Sequence, residues 1–290
     1  MTPGPAPPLR LQYEPLVRRG LEEDLGAAGD LTTDAVVPPD LQATGVIVAG
    51  AAGRLAGLGV AACAFTLLDP AVQVHRFVHD GADVGPGQRL GVVQGPARAL
   101  LGAERTALNL LGRLCGIATT TRDVVTAVVG HPARVVPTRK TTPGLRAVER
   151  YAVRVGGGAE HRFGLDDAVL IKDNHRVLAG GLTEAVSRVR QRIGHLVKVE
   201  VEVDTLEQLD EALGLGVDAV LLDNMGLEEL RRAVGAARGK TVTEASGGIS
   251  PETAPAVAAT GVDLLSIGWI THSAPALDVG LDLEPQAGLC

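Results

Sequence analysis

In the second half of this sequence, polar side chains collect at one kind of place. Six short apolar runs, ARVVPT, DAVLIK, VKVEVEV, DAVLLD, TVTEAS and VDLLSI, each finish in residues able to do chemistry. The first finishes in Thr138, Arg139 and Lys140, and the second in Lys172, Asp173, Asn174 and His175. Next come Glu200, Glu202 and Asp204, then Asp223 and Asn224, then Glu244 and Ser246 with Gly247 and Gly248. The last run closes on Ser266 and Gly268. The segment GGGAEHRFGLDDAVLIKDNH adds His161 and Arg162. So many cations aimed at one face of an acidic chain need an anionic ligand to offset their mutual repulsion. An Arg fork suits a carboxylate, and a Lys ammonium suits a phosphate or a departing anion. His161 and His175 lie at no metal-ligand spacing with other His or Cys, so both read as hydrogen-bonding residues.

One charged residue after a strand is as often a solvated loop residue as a functional one, but six successive cases make coincidence a poor explanation. Side chains alternate along a strand, which places Glu200, Glu202 and Asp204 on one face. A carboxylate inside a sheet protein is costly unless a cation or metal pairs with it, so Glu202 carries more information than a surface acid. A structural ion pair would satisfy it equally well. ASGGIS exposes successive backbone N–H groups ahead of a helix, as a phosphate cradle does. SIG follows one strand later, and barrels bind phosphate on the loops of their last strands. The residues alone therefore give a phosphorylated, polyanionic substrate, with carboxylates available for ribose hydroxyls or Mg²⁺. They do not give the reaction.

Helix-like stretches (LTEAVSRVRQRI, LEQLDEALGL, LEELRRAVGAA and ETAPAVAAT) separate most of these runs. Alternating strands and helices with apolar strands predict a parallel sheet covered by helices. With six strands in view, the first choice is a TIM-like β/α barrel, whole or incomplete at six to seven strands. An open doubly wound sheet is the alternative, although no GxGxxG fingerprint follows the first strand. The opening hundred residues read differently. They predict a helix over 13–25, strands over 42–49, 72–79 and 88–94, and an apolar helix near 58–68, which make a small α+β domain. A helix over 102–129 follows, with Glu104 and Arg105 in its first turn. A cation there is electrostatically odd.

Composition narrows the classes. Hydrophobic residues are 46% of the 290, aromatics only 2%, and the net charge is -7 at pH 7. The core must be aliphatic, and a general nucleic-acid or anionic-membrane binder is disfavoured. No run approaches the length that spans a bilayer, and the Pro-rich start lacks a signal-peptide core. Residues 1–9 read as a frayed end. Cys63, Cys115 and Cys290 fit neither a zinc site nor a disulfide framework, so reduced thiols in the cytoplasm are expected. Only Lys140, Lys172, Lys198 and Lys240 are lysines among 27 basic residues, and two of them fall in the motifs above.

The motifs EDLGAAGDLTTDAVVP, AERTALNLLGRLCGIATTT, TRKTTPGLR, YAVRVGGGAEHRFGLDDAVLIKDNH, VEVEVDTLEQ, DAVLLDN, EASGGI and SIGWITHSA run in order from residue 23 to 274. Together they resemble quinolinate phosphoribosyltransferase, also called nicotinate-nucleotide pyrophosphorylase (carboxylating). The resemblance implies the reaction of quinolinate with phosphoribosyl pyrophosphate, giving nicotinate mononucleotide, pyrophosphate and CO₂ for NAD synthesis. It implies an α/β sandwich-like domain over 1–115, joined by 272–290, and an incomplete barrel over 116–271. It implies a homodimer in which Arg105 reaches the neighbouring subunit's site. Arg139, His161, Arg162 and Lys172 would line the quinolinate site with that Arg105. Lys140, Glu202 and Asp223 would be the catalytic residues, with Glu202 and Asp223 holding ribose hydroxyls and Mg²⁺. Lys140, Lys172, Ser246, Gly247, Gly248, Ser266 and Gly268 would bind the phosphates. Two residues depart from the pattern: Cys115 stands where Ser is expected, and Thr243 where an apolar residue is. The alternatives are a same-fold relative associated with metal uptake, a nicotinate phosphoribosyltransferase, and a non-catalytic binding protein. The first two fit the excess of cations less well. The third predicts lost carboxylates, yet Glu202 and Asp223 are present.

Overall fold

The structure, a computed structural model, describes residues 5–285. Residues 1–4 of the expected frayed end, and Cys290, lie outside that range. The chain forms two compact units. Described residues up to Arg122, with Thr141–Gly157 and those from Ile270 on, make the first; Asp123–Lys140 and Gly158–Trp269 make the second.

The first unit opens with α1 (Arg10–Leu25), α2 (Leu31–Val36), β1 (Gln42–Ala49), β2 (Gly53–Arg54), α3 (Leu58–Leu68), β3 (Gln73–Arg76), β4 (Asp83–Val84) and β5 (Arg89–Pro96). The 31-residue α4 (Ala97–Ala127) follows. β6 (Arg134–Pro137) belongs to the second unit, and α5 (Arg146–Val155) returns to the first. Along the second unit come β7 (Val169–Ile171), α6 (Asp173–Ala179), α7 (Leu182–Arg190), β8 (Val199–Val203), α8 (Leu206–Gly214), β9 (Ala219–Asp223), α9 (Leu227–Ala237), β10 (Val242–Ser246), α10 (Ala254–Ala258) and β11 (Leu264–Ile267). α11 (Trp269–His272) and β12 (Val279–Pro285) end the described chain.

In the first unit, β12–β1–β5–β3 form an antiparallel sheet. Alternate residues of β1 are buried, so one face packs and the other is partly open. β12, near the end of the chain, pairs along β1 from Ala43↔Pro285 to Ala49↔Val279. The core is aliphatic, as the composition requires, with Phe65 the exception among Ile47, Leu55, Leu58, Leu90, Leu100 and Leu111. Cys115 is fully buried where a Ser was expected. Its Sγ accepts from Ala56 N at 3.3 Å and meets Ala56 O at 3.4 Å, so the thiol takes the bonds of a hydroxyl. Burial pushes this thiol up to about 12, which keeps it protonated and inert.

The second unit is a six-stranded parallel sheet in the order β6–β11–β10–β9–β8–β7. From β7 to β11 the strands follow chain order, and β6, the earliest, lies beside β11. The winding never reverses, so this is a barrel's progression left open between β6 and β7 rather than a doubly wound sheet. β8 is buried along its whole length. Its valines take one face and Glu200 and Glu202 the other, which explains why this strand alternates although no face meets water. Thr243, also buried, is explained by Asp263. Both its N and its Oγ1 donate to Asp263 Oδ2, at 2.8 and 2.7 Å. No helix among the described residues is long and apolar enough to cross a membrane.

Candidate active site

Strand register brings the chemistry together. Ile171 pairs with Val201, so the next residues, Lys172 and Glu202, are neighbours. Asp223 pairs with Ser246, and Ser246 with Ser266. Every one of these residues lies at a C-terminal strand end, the face on which parallel α/β proteins place their sites. Lys172 Nζ bonds the buried Glu202 carboxylate directly. Burial and the charge of Glu202 push Asp223 above the usual carboxylate range, while a hydrogen bond from Ser246 works against them. Lys140 is exposed on the loop after β6, its backbone N donating to Thr138 Oγ1. Gly247 and Gly248 both take positive φ, as a loop with exposed N–H groups requires. The helix expected directly behind them begins only at Ala254 and is five residues long. The expected contribution of a helix end is therefore replaced by the loop's own N–H groups.

His161 is placed less simply than the sequence implies. Its Nε2 lies 3.0 Å from Glu244 Oε2 and 3.5 Å from Glu200 Oε2. Glu244 is 1% exposed, and its Oε1 has no hydrogen-bond partner. The three donor groups lie within 4.8 Å of one another, as metal ligands would. Charge assigns them otherwise, because the same two carboxylates act on the Arg162 guanidinium. They are counter-ions for the cationic patch. The sequence missed this pairing: Glu244 was one strand-end residue among many, although alternation on a buried strand already turns it away from Thr243 and Ala245. The patch is thus partly neutralised from below.

The two ring nitrogens pull in opposite directions. Burial disfavours the imidazolium, and Nδ1 lies 2.8 Å from Arg162 N, a bond that only the neutral ring accepts. Against the burial, hydrogen bonds and charge from Glu200 and Glu244 prevail and lift His161 to about 9. Burial acts the other way on Glu200 and raises it, with the charge of Glu244 adding to the rise. The His161 shift is upward, so its stability contribution is complete below the ordinary His value of 6.5 and is lost as pH rises through about 9. We expect the urea midpoint of the wild type to fall toward that of His161→Gln between about pH 7 and 9.5. A gap that stays constant across this range would show that the cluster does not hold the proton.

Other predicted residues sit elsewhere. His175 Nδ1 accepts from Lys172 N at 2.9 Å, so it caps the start of α6. Asp204 is exposed beyond β8 and pairs with Arg176 at 3.1 Å, and it does not share the interior with Glu200 and Glu202. Two of the three glycines before His161 serve helix packing: a Cβ on Gly156 would lie 2.6 Å from Ala118 O, and Gly157 turns the chain at φ 94°. Arg105 belongs to the first unit. α4 begins at Ala97, so Arg105 lies two turns inside the helix and the puzzle of a cation at the positive helix end disappears. Its side chain is 65% exposed on an open groove lined by Arg19, Glu23 and Asn109.

Comparison with known proteins divides the chain once, near residue 116, whereas the compact units interleave. Residues 30–115 match the quinolinate phosphoribosyl transferase N-terminal domain, and residues 117–282 match its C-terminal domain. The chain belongs to the quinolinate phosphoribosyltransferase family. It is 47% identical to the nicotinate-nucleotide pyrophosphorylase (carboxylating) of Mycobacterium leprae, over 92% of this chain and 95% of that protein. It is 42% identical to a probable enzyme of the same name from Bacillus subtilis, over 94% of each. The crystal structure of NadC from Streptococcus pyogenes superposes with a TM-score of 0.93 at 38% identity, covering 97% of this chain and 99% of that one. Within the family fold, Lys172, Glu202, Asp223 and the glycine loop of the second unit stand at C-terminal strand ends, while His161 and Arg162 come from the loop before β7.

Proposed function

We infer that the protein transfers the phosphoribosyl group of phosphoribosyl pyrophosphate to the ring nitrogen of quinolinate and releases CO₂, forming nicotinate mononucleotide in NAD biosynthesis. Family membership over both domains supports the reaction. What supports it most is that one sheet holds the Lys172–Glu202 pair and the Asp223–Ser246–Ser266 row, with His161 of the preceding loop reaching Glu200 and Glu244 of the same sheet and Arg162 beside it. In this reading the Arg forks grip the two carboxylates and aim the nitrogen at the anomeric carbon. The new N–C bond forms as the C–O bond to pyrophosphate breaks, through an oxocarbenium-like state that nearby carboxylates favour. Lys140 and Lys172 meet the departing charge. The alkylated ring is a pyridinium, which accepts the electron pair left when the adjacent carboxylate departs as CO₂. A proton then takes its place on carbon.

Burial together with the Glu202 charge raises the Asp223 pKa, and Mg²⁺ fits the hard-oxygen donors of Glu202 and Asp223. Those two would hold it, and it would neutralise pyrophosphate as that group leaves. Arg105, exposed and aimed into an open groove, suits the role of completing a neighbouring subunit's site in a homodimer.

The test is an assay of purified protein with phosphoribosyl pyrophosphate and Mg²⁺, offering quinolinate and nicotinate in parallel. Nicotinate mononucleotide and CO₂ should appear from quinolinate alone. Turnover of nicotinate instead, or of neither acid, would sink this reading.

A further inference from the structure

Asn224 is the one non-glycine residue with positive φ among the described residues, at 54°. Asn tolerates the left-handed region better than most residues, yet strain of this kind persists only where the surroundings fix it. Three contacts in the second unit do so. The Asn224 backbone N donates to Ser246 O at 2.9 Å, which carries the β9–β10 pairing one residue past the end of β9. Its Nδ2 donates to Asp223 Oδ2 at 2.7 Å. On the other side, a Cβ added to Gly247 would lie 2.1 Å from Asn224 Oδ1 and 3.2 Å from its Cα. Gly247 itself has φ 99°, so no other residue suits that place.

The amide is thus wedged between a carboxylate and the glycine loop. We propose that Asn224 is a positioning residue that locks the Asp223 carboxylate and the Gly247–Gly248 loop into one rigid unit for binding a phosphorylated ribose. This rests on the function inferred above. A donor aimed at Oδ2 favours the charged carboxylate and, with the bond from Ser246, fixes how that carboxylate meets a ribose hydroxyl or a cation. The cost of the left-handed backbone is what lets a side chain adjacent to Asp223 turn back onto it. Lone loop residues seldom show this: the side chain contacts both binding elements and is itself neither acid nor base.

The experiment compares Asn224→Gly and Asn224→Asp with the wild type. Gly relieves the backbone and removes the amide, while Asp keeps the size and removes the donor. Calorimetry measures binding of phosphoribosyl pyrophosphate with Mg²⁺ and, separately, of quinolinate. Loss of a supporting hydrogen bond of this kind typically costs about 10–100-fold. Both variants should lose that much affinity for phosphoribosyl pyrophosphate, show the same rise in its KM, and keep quinolinate binding within about two-fold. Equal loss of both ligands, no loss, or an Asp variant that behaves as wild type overturns the proposal. A wild type that binds phosphoribosyl pyrophosphate but turns over neither pyridine sinks the inferred reaction and leaves this test standing. A wild type that does not bind it overturns both.

Discussion

Arg162→Ala is expected to raise the KM for quinolinate by roughly a hundred-fold or more while changing that for phosphoribosyl pyrophosphate by less than about three-fold. Removing one partner of a desolvated charge pair costs about 2–5 kcal/mol, which spans roughly thirty-fold to several thousand-fold. Arg162 is suited to such a loss. Burial lowers its pKa and the neighbouring Arg139 lowers it further, while Glu200 and Asp167 oppose them. Two guanidinium groups are held closer than either would choose, and a dicarboxylate is the ligand that relieves both. A monocarboxylate would relieve one, so the patch is expected to favour quinolinate over nicotinate. Arg162→Lys should recover only part of the loss, because an ammonium cannot form the fork. The measurement is the pair of KM values for each variant, with the thermal midpoint as a check, since Arg162 Nη1 also reaches Ala168 O at 3.4 Å. Equal losses for both substrates would mean that the residue supports the loop and does not read the carboxylate.

The strand ends were legible because a parallel sheet buried on both faces writes its strands as apolar runs, and whatever polar residue follows stands out. That is why the six runs became six strands and why Lys172, Glu202, Asp223 and Ser246 fell on one edge. Helices were harder to read where burial did not follow one stripe. In α5, Arg146, Glu149, Arg150 and Arg154 recur at helical spacing, yet Glu149 and Arg150 are buried, so a stripe that reads as a solvated face lies partly inside. In α6 no residue is buried, and Val177 and Leu178 point outward, so its apolar pair argues for the wrong side. α2 hid in a turn-rich stretch, where Asp30 caps it by accepting from Thr33 N. The reasons for Cys115 and Thr243 were out of reach for another cause. Their partners, Ala56 and Asp263, are known only once α4 and the β10–β11 register exist.

The same limit hid an ion pair of the first unit whose carboxylate is fully buried, and it gives the second large expectation. Glu149→Ala should destabilise the protein by about 3–5 kcal/mol, the usual result of orphaning a buried charge. Glu149 is fully buried. Its Oε1 accepts from Arg113 Nη2 at 2.9 Å and from Thr142 Oγ1 at 2.8 Å, and its Oε2 from Thr142 N at 3.1 Å. Arg113 in turn donates to the carbonyls of Ala274 and Thr271. One carboxylate therefore ties α4, the turn at Thr142 and the segment entering β12, which are distant in sequence. Glu149→Gln keeps one acceptor oxygen and the packing, so it should cost less than alanine. Arg113→Met with Glu149→Leu removes both charges together and should recover much of the alanine loss, because desolvation no longer has to be offset. Urea titration of the three variants reads this directly. In a chain of this size the alanine variant should also melt on the order of 10 °C lower. If Glu149→Ala stays within about 1 kcal/mol of wild type, or if the apolar double variant is no better than alanine, then aliphatic packing, and not this charge, holds the returning chain in place.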